Sequence, residues 1–183
     1  MKLLYCPIAD LKIIQLDIHT DARGFFVERY RQDKMLELGI NGNFVQDNHS
    51  CSAPNVLRGM HYQKNPAQEK LVGVTRGKVW NVAVDIRPDS PTFGKYHAIE
   101  LSVDNGLLFW IPAGFANGFC VLGDEPADIL YKVSGHYNAV GEGGISYNDA
   151  ELAIKWPVKN PLISERDKAL TSFAEYRKNL PNW

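Results

Sequence analysis

The chain has 183 residues, enough for one domain with a sizeable core and short for two. Hydrophobic residues at 45% and charged residues at 22% exclude a disordered or fibrous chain. Lys and Arg total 20 against 21 Asp and Glu, a formal net charge of -1, which disfavours nucleic-acid or membrane-surface binding by bulk positive charge but leaves room for a local basic site for an anion.

The start, MKLLYCPIADLKIIQL, has one early Lys, and Pro7, Asp10 and Lys12 interrupt the apolar stretch that a secretory leader needs. No run approaches the uncharged length that crosses a bilayer, so a soluble cytoplasmic protein is expected. Segments rich in Val, Ile, Phe, Tyr and Trp predict strands over 11–18, 24–30, 43–48, 56–63, 69–76, 78–87, 95–102, 107–112, 118–122 and 128–137. Turn chemistry separates them at Arg23-Gly24, Arg76-Gly77, Pro88-Asp89-Ser90-Pro91, Asp104-Asn105-Gly106 and Asp124-Glu125-Pro126. Residues 31–39 predict a short helix ended by Gly39, whose lack of Cβ suits a left-handed cap. Ser172-Phe173-Ala174-Glu175 has capping-box spacing for a brief C-terminal helix. Many strands with helices only at the margins predict a mainly β fold, a sandwich or barrel of jelly-roll type. An α/β crossover fold lacks the helices it requires.

Strand 78–87 bears on the interior. Trp80, Val82, Val84 and Ile86 form an apolar face, and Val79, Asn81, Ala83 and Asp85 a mixed one. One face is expected to pack on a sheet while the other lines a cavity; Asp85 equally fits a solvated or turn-closing role. Cys6, Cys51 and Cys120 are odd in number and far apart, and read as free thiols. The densest polar run is Gln46-Asp47-Asn48-His49-Ser50, followed by Leu57-Arg58-Gly59-Met60-His61-Tyr62-Gln63 and Gln68-Glu69-Lys70. It holds the parts for binding an anion and moving a proton, although strand histidines are more often hydrogen-bonded structural residues. A metal is not expected: a barrel metal site wants two His one residue apart on a strand with a nearby Glu, and His61-Tyr62-Gln63 supplies one.

Asp21-x-Arg23-Gly24-x-Phe26-x-Glu28, Gln46-Asp47-Asn48-x-Ser50, Leu57-Arg58-Gly59-x-His61, Ile111-Pro112-x-Gly114-Phe115-Ala116, Tyr131-Lys132 and Ser164-Glu165-Arg166-Asp167 follow one another in order. This pattern, nearly the length of the chain, resembles the dTDP-4-dehydrorhamnose 3,5-epimerase family. The resemblance implies a single epimerase domain over 1–183, with a cupin-like jelly-roll core at roughly 20–157, and a homodimer exchanging N-terminal strands.

It also implies a reaction. In a thymidine-diphosphate 4-keto-6-deoxy sugar, the carbonyl acidifies the hydrogens on C3 and C5, and epimerisation needs a base on one face and an acid on the other. The resemblance makes His61 the base, as imidazole with its ordinary pKa of about 6.5 can take and return a proton at neutral pH. Asp167 would orient it, the alternative being a carboxylate in the first turn of a short helix. Tyr131 would be the proton donor, or else a buried strand tyrosine with a satisfied hydroxyl. Lys70 would stabilise charge on the keto oxygen. No metal or organic cofactor is implied.

For the ligand, the resemblance assigns Arg23 and Arg58 to phosphate or sugar, Glu28, Gln46 and Asn48 to the nucleoside, and Tyr137 to stacking on the base, with Glu142 and Arg166 at further binding positions. Arg166 stands where the family has Lys. Arg58 and His61 are an odd number of residues apart and would face opposite ways on a regular strand. Either Gly59 permits a bulge that turns both inward, or Arg58 reaches a neighbouring subunit's ligand. Asn117 replaces the His of the family's Gly-Phe-Ala-His-Gly-Phe run and cannot carry a proton at neutral pH. Epimerisation at one carbon only, an altered nucleotide sugar and simple tolerance are each compatible with it. A nucleotide-sugar binding protein without catalysis is the alternative outside enzymes.

Overall fold

Alternating apolar and polar residues resolve into thirteen strands and three short helices among residues 1–180, the part described by this computed structural model. The last three residues of the expected 1–183 span lie outside the described residues. The strands are β1 (Lys2–Leu4), β2 (Lys12–Gln15), β3 (Ile18–Asp21), β4 (Gly24–Val27), β5 (Gln46–Ser52), β6 (Leu57–Gln63) and β7 (Lys70–Arg76). They continue as β8 (Lys78–Asp85), β9 (Tyr96–Ser102), β10 (Leu107–Ile111), β11 (Phe115–Val121), β12 (Ala127–Val133) and β13 (Glu142–Gly144). The helices are α1 (Gln32–Glu37), α2 (Glu165–Lys168) and α3 (Phe173–Lys178).

Two antiparallel sheets result, ordered β1-β2-β10-β7-β12-β5 and β13-β6-β11-β8-β9, with β3 and β4 as a separate hairpin. Their inner faces share one core. Val72, Phe109 and Ile129 from the first sheet meet Val79, Ala83, Leu101 and Phe115 from the second. A fully buried side chain of this kind contributes about 1.5–3 kcal/mol. The mainly β jelly-roll expected from the strand pattern is the architecture found.

The two faces of β8 explain how the sheet is covered. Its mixed face turns inward, Val79 and Ala83 joining the inter-sheet core, while Val82, Val84 and Ile86 face outward. That apolar outer face is covered by the C-terminal segment through Ile145, Leu152, Phe173 and Tyr176, so the apolar side does not meet a second sheet. Asp85 is fully buried and accepts hydrogen bonds from Arg87, Ser90 and Thr92. It closes the turn after β8.

Local signals act where they were read. Gly39 has φ +72° just past α1, and Ser172 accepts from Glu175 N at the start of α3. The predicted strand 11–18 is divided into β2 and β3, the one over 43–48 begins at Gln46 and runs to Ser52, and the one over 128–137 stops at Val133. β1 and β13 were not expected. The polar run Gln46–Ser52 has little intrinsic strand preference and is extended because every residue pairs with β12.

Candidate active site

A cavity of about 220 Å³ opens between the sheets. Arg58 and His61 of β6, Asn81 of β8 and Asn117 of β11 come from one sheet, and Ser50 of β5, Lys70 of β7 and Tyr131 of β12 from the other. His61 and Tyr131 therefore stand on opposite walls. A second cavity of about 180 Å³, lined by Gln46, Asn48 and Tyr137, shares His61, Lys70, Tyr131 and Glu142 with the first and adjoins it.

A bulge makes this wall possible. Asn117 pairs with His61 and Phe119 with Arg58, so three residue steps on β6 span two on β11. The extra residue cancels the odd offset and brings Arg58 and His61 into one cavity. Gly59, with φ +119°, is placed where a Cβ would lie 2.6 Å from Gly118 Cα. Arg58 Nε also donates to Ser52 Oγ at 3.0 Å, which fixes its stem.

His61 Nε2 lies 2.7 Å from Asp167 Oδ1. Asp167 is only 4% exposed, and its Oδ2 accepts from Gly59 N at 3.0 Å. Burial alone would raise this carboxyl's pKa, but the hydrogen bonds from His61 and Gly59, with the charges of His61 and Arg166, outweigh it and hold it below the usual range. Ionised, it accepts only, so Nε2 carries the hydrogen and the neutral imidazole keeps its lone pair on Nδ1. Asp167 also occupies the first turn of α2, its N–H bonded to Ser164 Oγ. Both sequence readings of this residue describe one geometry.

Lys70 Nζ donates to the backbone carbonyl of His61 at 3.2 Å, beside the base. Burial draws its pKa down to about 8, against the opposing pull of Glu142. It is a cation at neutral pH, held where little solvent screens it. Burial also raises the Tyr131 hydroxyl, as does the charge of Glu142, so the phenol keeps its proton at neutral pH.

The adjoining cavity carries most of the remaining expected residues. Tyr137 hydroxyl donates to Glu142 Oε2 at 3.0 Å, and Arg166 pairs with Glu142 at 2.7 Å. Gln46 donates to Asn48 and accepts from Tyr137 N, tying the loop after β12 to β5. The Tyr137 ring is left exposed beside the cavity, available to a planar group. Among the described residues no three His, Cys, Asp or Glu side chains are grouped to hold a metal ion.

Arg23 and Glu28 are not brought to this place. Arg23 sits at the tip of the β3–β4 hairpin, its side chain 89% exposed and paired with Asp21. Glu28 follows the hairpin, near Arg31. Neither lines the cavity that holds His61. Ser50 and Asn81 do line it without having been assigned a role. Alternation along β5, where residues 46, 48, 50 and 52 are more buried than their neighbours, is the signal that finds Ser50.

Comparison with known proteins identifies the family. A family model described as dTDP-4-dehydrorhamnose 3,5-epimerase matches residues 5–175. The chain is 48% identical over 169 residues to the dTDP-4-dehydrorhamnose 3,5-epimerase of Shigella flexneri, covering 91% of this chain and 93% of that protein. A crystal structure of the dTDP-6-deoxy-D-glucose-3,5-epimerase of Legionella pneumophila in complex with dTDP-4-keto-L-rhamnose superposes with a TM-score of 0.94 at 44% identity, covering 100% of this chain and 98% of that one. A more distant relative, 38% identical over 160 residues and covering 86% of this chain and 77% of its own, is the dTDP-4-dehydrorhamnose 3-epimerase of Streptomyces niveus. With a family model spanning nearly its whole length and relatives this similar, the chain belongs to the dTDP-4-dehydrorhamnose 3,5-epimerase family.

Proposed function

We propose that this protein inverts C3 and C5 of dTDP-4-dehydro-6-deoxy-D-glucose to give dTDP-4-dehydro-L-rhamnose, a step of dTDP-rhamnose biosynthesis. The observation that carries the reading is the placement of His61 and Tyr131 on facing walls of one cavity, with Lys70 lining the same cavity and bonded to the His61 carbonyl. His61, through Nδ1, takes the hydrogen from the carbon next to the carbonyl. The electron pair moves onto the keto oxygen, where the Lys70 ammonium stabilises it. Tyr131 then delivers a proton to the opposite face of the same carbon, and Asp167 stabilises the imidazolium meanwhile. The keto group itself makes both carbons acidic, so side chains suffice and the reaction draws on no metal or organic cofactor.

The diphosphate is assigned to Arg58 and Arg166, and the thymine to the face of Tyr137 with Gln46 and Asn48 at its edge. Arg23 and Glu28 lie away from their own chain's cavity on a hairpin that also exposes Phe25 and Phe26. This favours a homodimer in which the hairpin of one copy closes the nucleotide end of the other. A cytoplasmic location goes with this reading: three free cysteines fit a reducing compartment. No helix among the described residues is long and apolar enough to cross a membrane.

A second reading rests on Asn117. Its Nδ2 donates to Asn81 Oδ1 and Val82 O, so it carries no titrating proton where the family has His, and a mono-epimerase acting at C3 or C5 is the alternative. Turnover of dTDP-4-keto-6-deoxyglucose in deuterated water separates the possibilities. Deuterium at both carbons is the expected result. Deuterium at one supports the mono-epimerase, and tight binding without exchange would reduce the protein to a nucleotide-sugar binding module.

A further inference from the structure

Asn81 is fully buried, yet its Nδ2 has no hydrogen-bond partner among the described residues. It lines the cavity that holds His61, Lys70 and Tyr131. Which end of its amide is left over follows from a chain of donors. Val82 O is a carbonyl and only accepts, so the Asn117 atom 2.9 Å from it is Nδ2. The same Nδ2 donates to Asn81 at 2.8 Å, so the atom there is Oδ1. The unpaired end of Asn81 is therefore its NH2. Asn117 in turn keeps a carbonyl oxygen that accepts from no described residue.

A buried amide donor without a partner is unfavourable, and such groups in folded proteins are nearly always satisfied. A donor and an acceptor lining one cavity match a hydroxyl, which accepts one hydrogen bond and donates another. It does not match a keto oxygen, which only accepts and is served by the Lys70 ammonium. Among the sugar's oxygens, the 3-hydroxyl moves when C3 inverts, whereas the 2-hydroxyl sits on a carbon that does not react. Asn81 and Asn117 line the cavity from the paired strands β8 and β11, a rigid setting suited to an oxygen that keeps its place.

We propose that Asn81 and Asn117 form a subsite that reads the sugar's 2-hydroxyl. Asn81 NH2 donates to that oxygen, Asn117 accepts from it, and Asn117 also positions Asn81 by fixing which end of its amide faces the ligand. The inference rests on the nucleotide-sugar reading above. It gives the Asn in place of His a task other than proton transfer.

The test compares dTDP-4-keto-6-deoxyglucose with its 2-deoxy analogue in turnover. It also compares the binding of dTDP-6-deoxyglucose, which has no keto group and cannot enolise, with that of its own 2-deoxy analogue and of dTDP alone. The wild-type protein is expected to favour the 2-hydroxylated substrate by roughly 10- to 100-fold in kcat/KM, since the analogue leaves two polar groups unpaired. In Asn81→Ala this preference falls towards one, while affinity for dTDP is unchanged. Asn81→Asp retains the acceptor for Asn117 but loses the NH2, and gives the same loss. Asn117→Ala, which frees the Asn81 amide to rotate, lowers the preference less and acts on KM more than on kcat. Equal use of both substrates by the wild-type protein overturns the proposal without requiring any variant to fold, and so does an Asn81→Ala protein with the wild-type preference. Wild-type protein that binds the hydroxylated sugar preferentially but exchanges no hydrogen would end the epimerase reading and leave the subsite standing. Failure to bind dTDP-6-deoxyglucose would overturn both.

Discussion

The wall around His61 and the β3–β4 hairpin carry residues of the same family pattern in opposite physical states. His61 is anchored to a carboxylate that is 4% exposed, next to a lysine whose pKa burial draws down to about 8. Arg23 is almost wholly solvated and holds only its neighbour Asp21. Desolvation strengthens every charge interaction in the first region, and solvent screens those in the second. The proposed proton-transfer groups thus lie inside one chain, while the hairpin gains an energetic role only when another surface takes its water away.

Substitutions make this contrast quantitative. The largest effect is expected at the base: His61→Ala should lower kcat by up to about 10⁴, with affinity for dTDP unchanged, as single-turnover kinetics and calorimetry can measure. Loss of dTDP binding instead would make His61 a structural residue. Lys70→Ala should cost about 10²–10³ in kcat. Because Lys70 is active as the cation and its pKa is drawn down to about 8, wild-type activity should decline as pH rises through that value. A profile flat well beyond it would remove Lys70 from charge stabilisation.

Arg23→Ala comes next, with KM raised about 10-fold, the worth of one charge-assisted contact, and kcat little changed. Mixing Arg23→Ala with His61→Ala sharpens the point. If the hairpin serves the other copy's cavity, a mixed dimer holds one doubly damaged site and one intact site, and activity returns. No recovery on mixing would place Arg23 at its own chain's site or at none. The smallest effect belongs to His49, on the outward side of β5, whose contact with Asp128 is a 3.3 Å surface pair. His49→Ala should leave turnover unchanged and shift stability by less than about 1 kcal/mol in urea unfolding.

Much of this was legible before any coordinates. Period-two alternation located most of the strands, and on β8 it separated a mixed face from an apolar one, while which of them turns inward was settled by packing. Gly39 and Ser172 marked helix ends through rules that act within a few residues. The polar strand β5 was placed too early because propensity there is weak and pairing with β12 decides. The meeting of His61 with Asp167, 106 positions apart, came from family resemblance alone, since no local rule spans that distance. The role of Asn81 was hidden for a different reason. An amide on a mixed strand face looks alike whether satisfied or not, and only the direction of two hydrogen bonds tells which end is spare.

The bulge at Gly59 has an evolutionary corollary. Removing that single residue would restore an ordinary ladder between β6 and β11 and leave Arg58 opposite Phe119, now an even number of places from His61, so both would keep one face. What the deletion takes away is the Gly59 N–H that holds Asp167, so the barrel would survive it better than the His61–Asp167 pair. Loss of one codon, rather than exchange of a side chain, is thus a short route by which this scaffold would keep its cavity lining and loosen the carboxylate behind its imidazole.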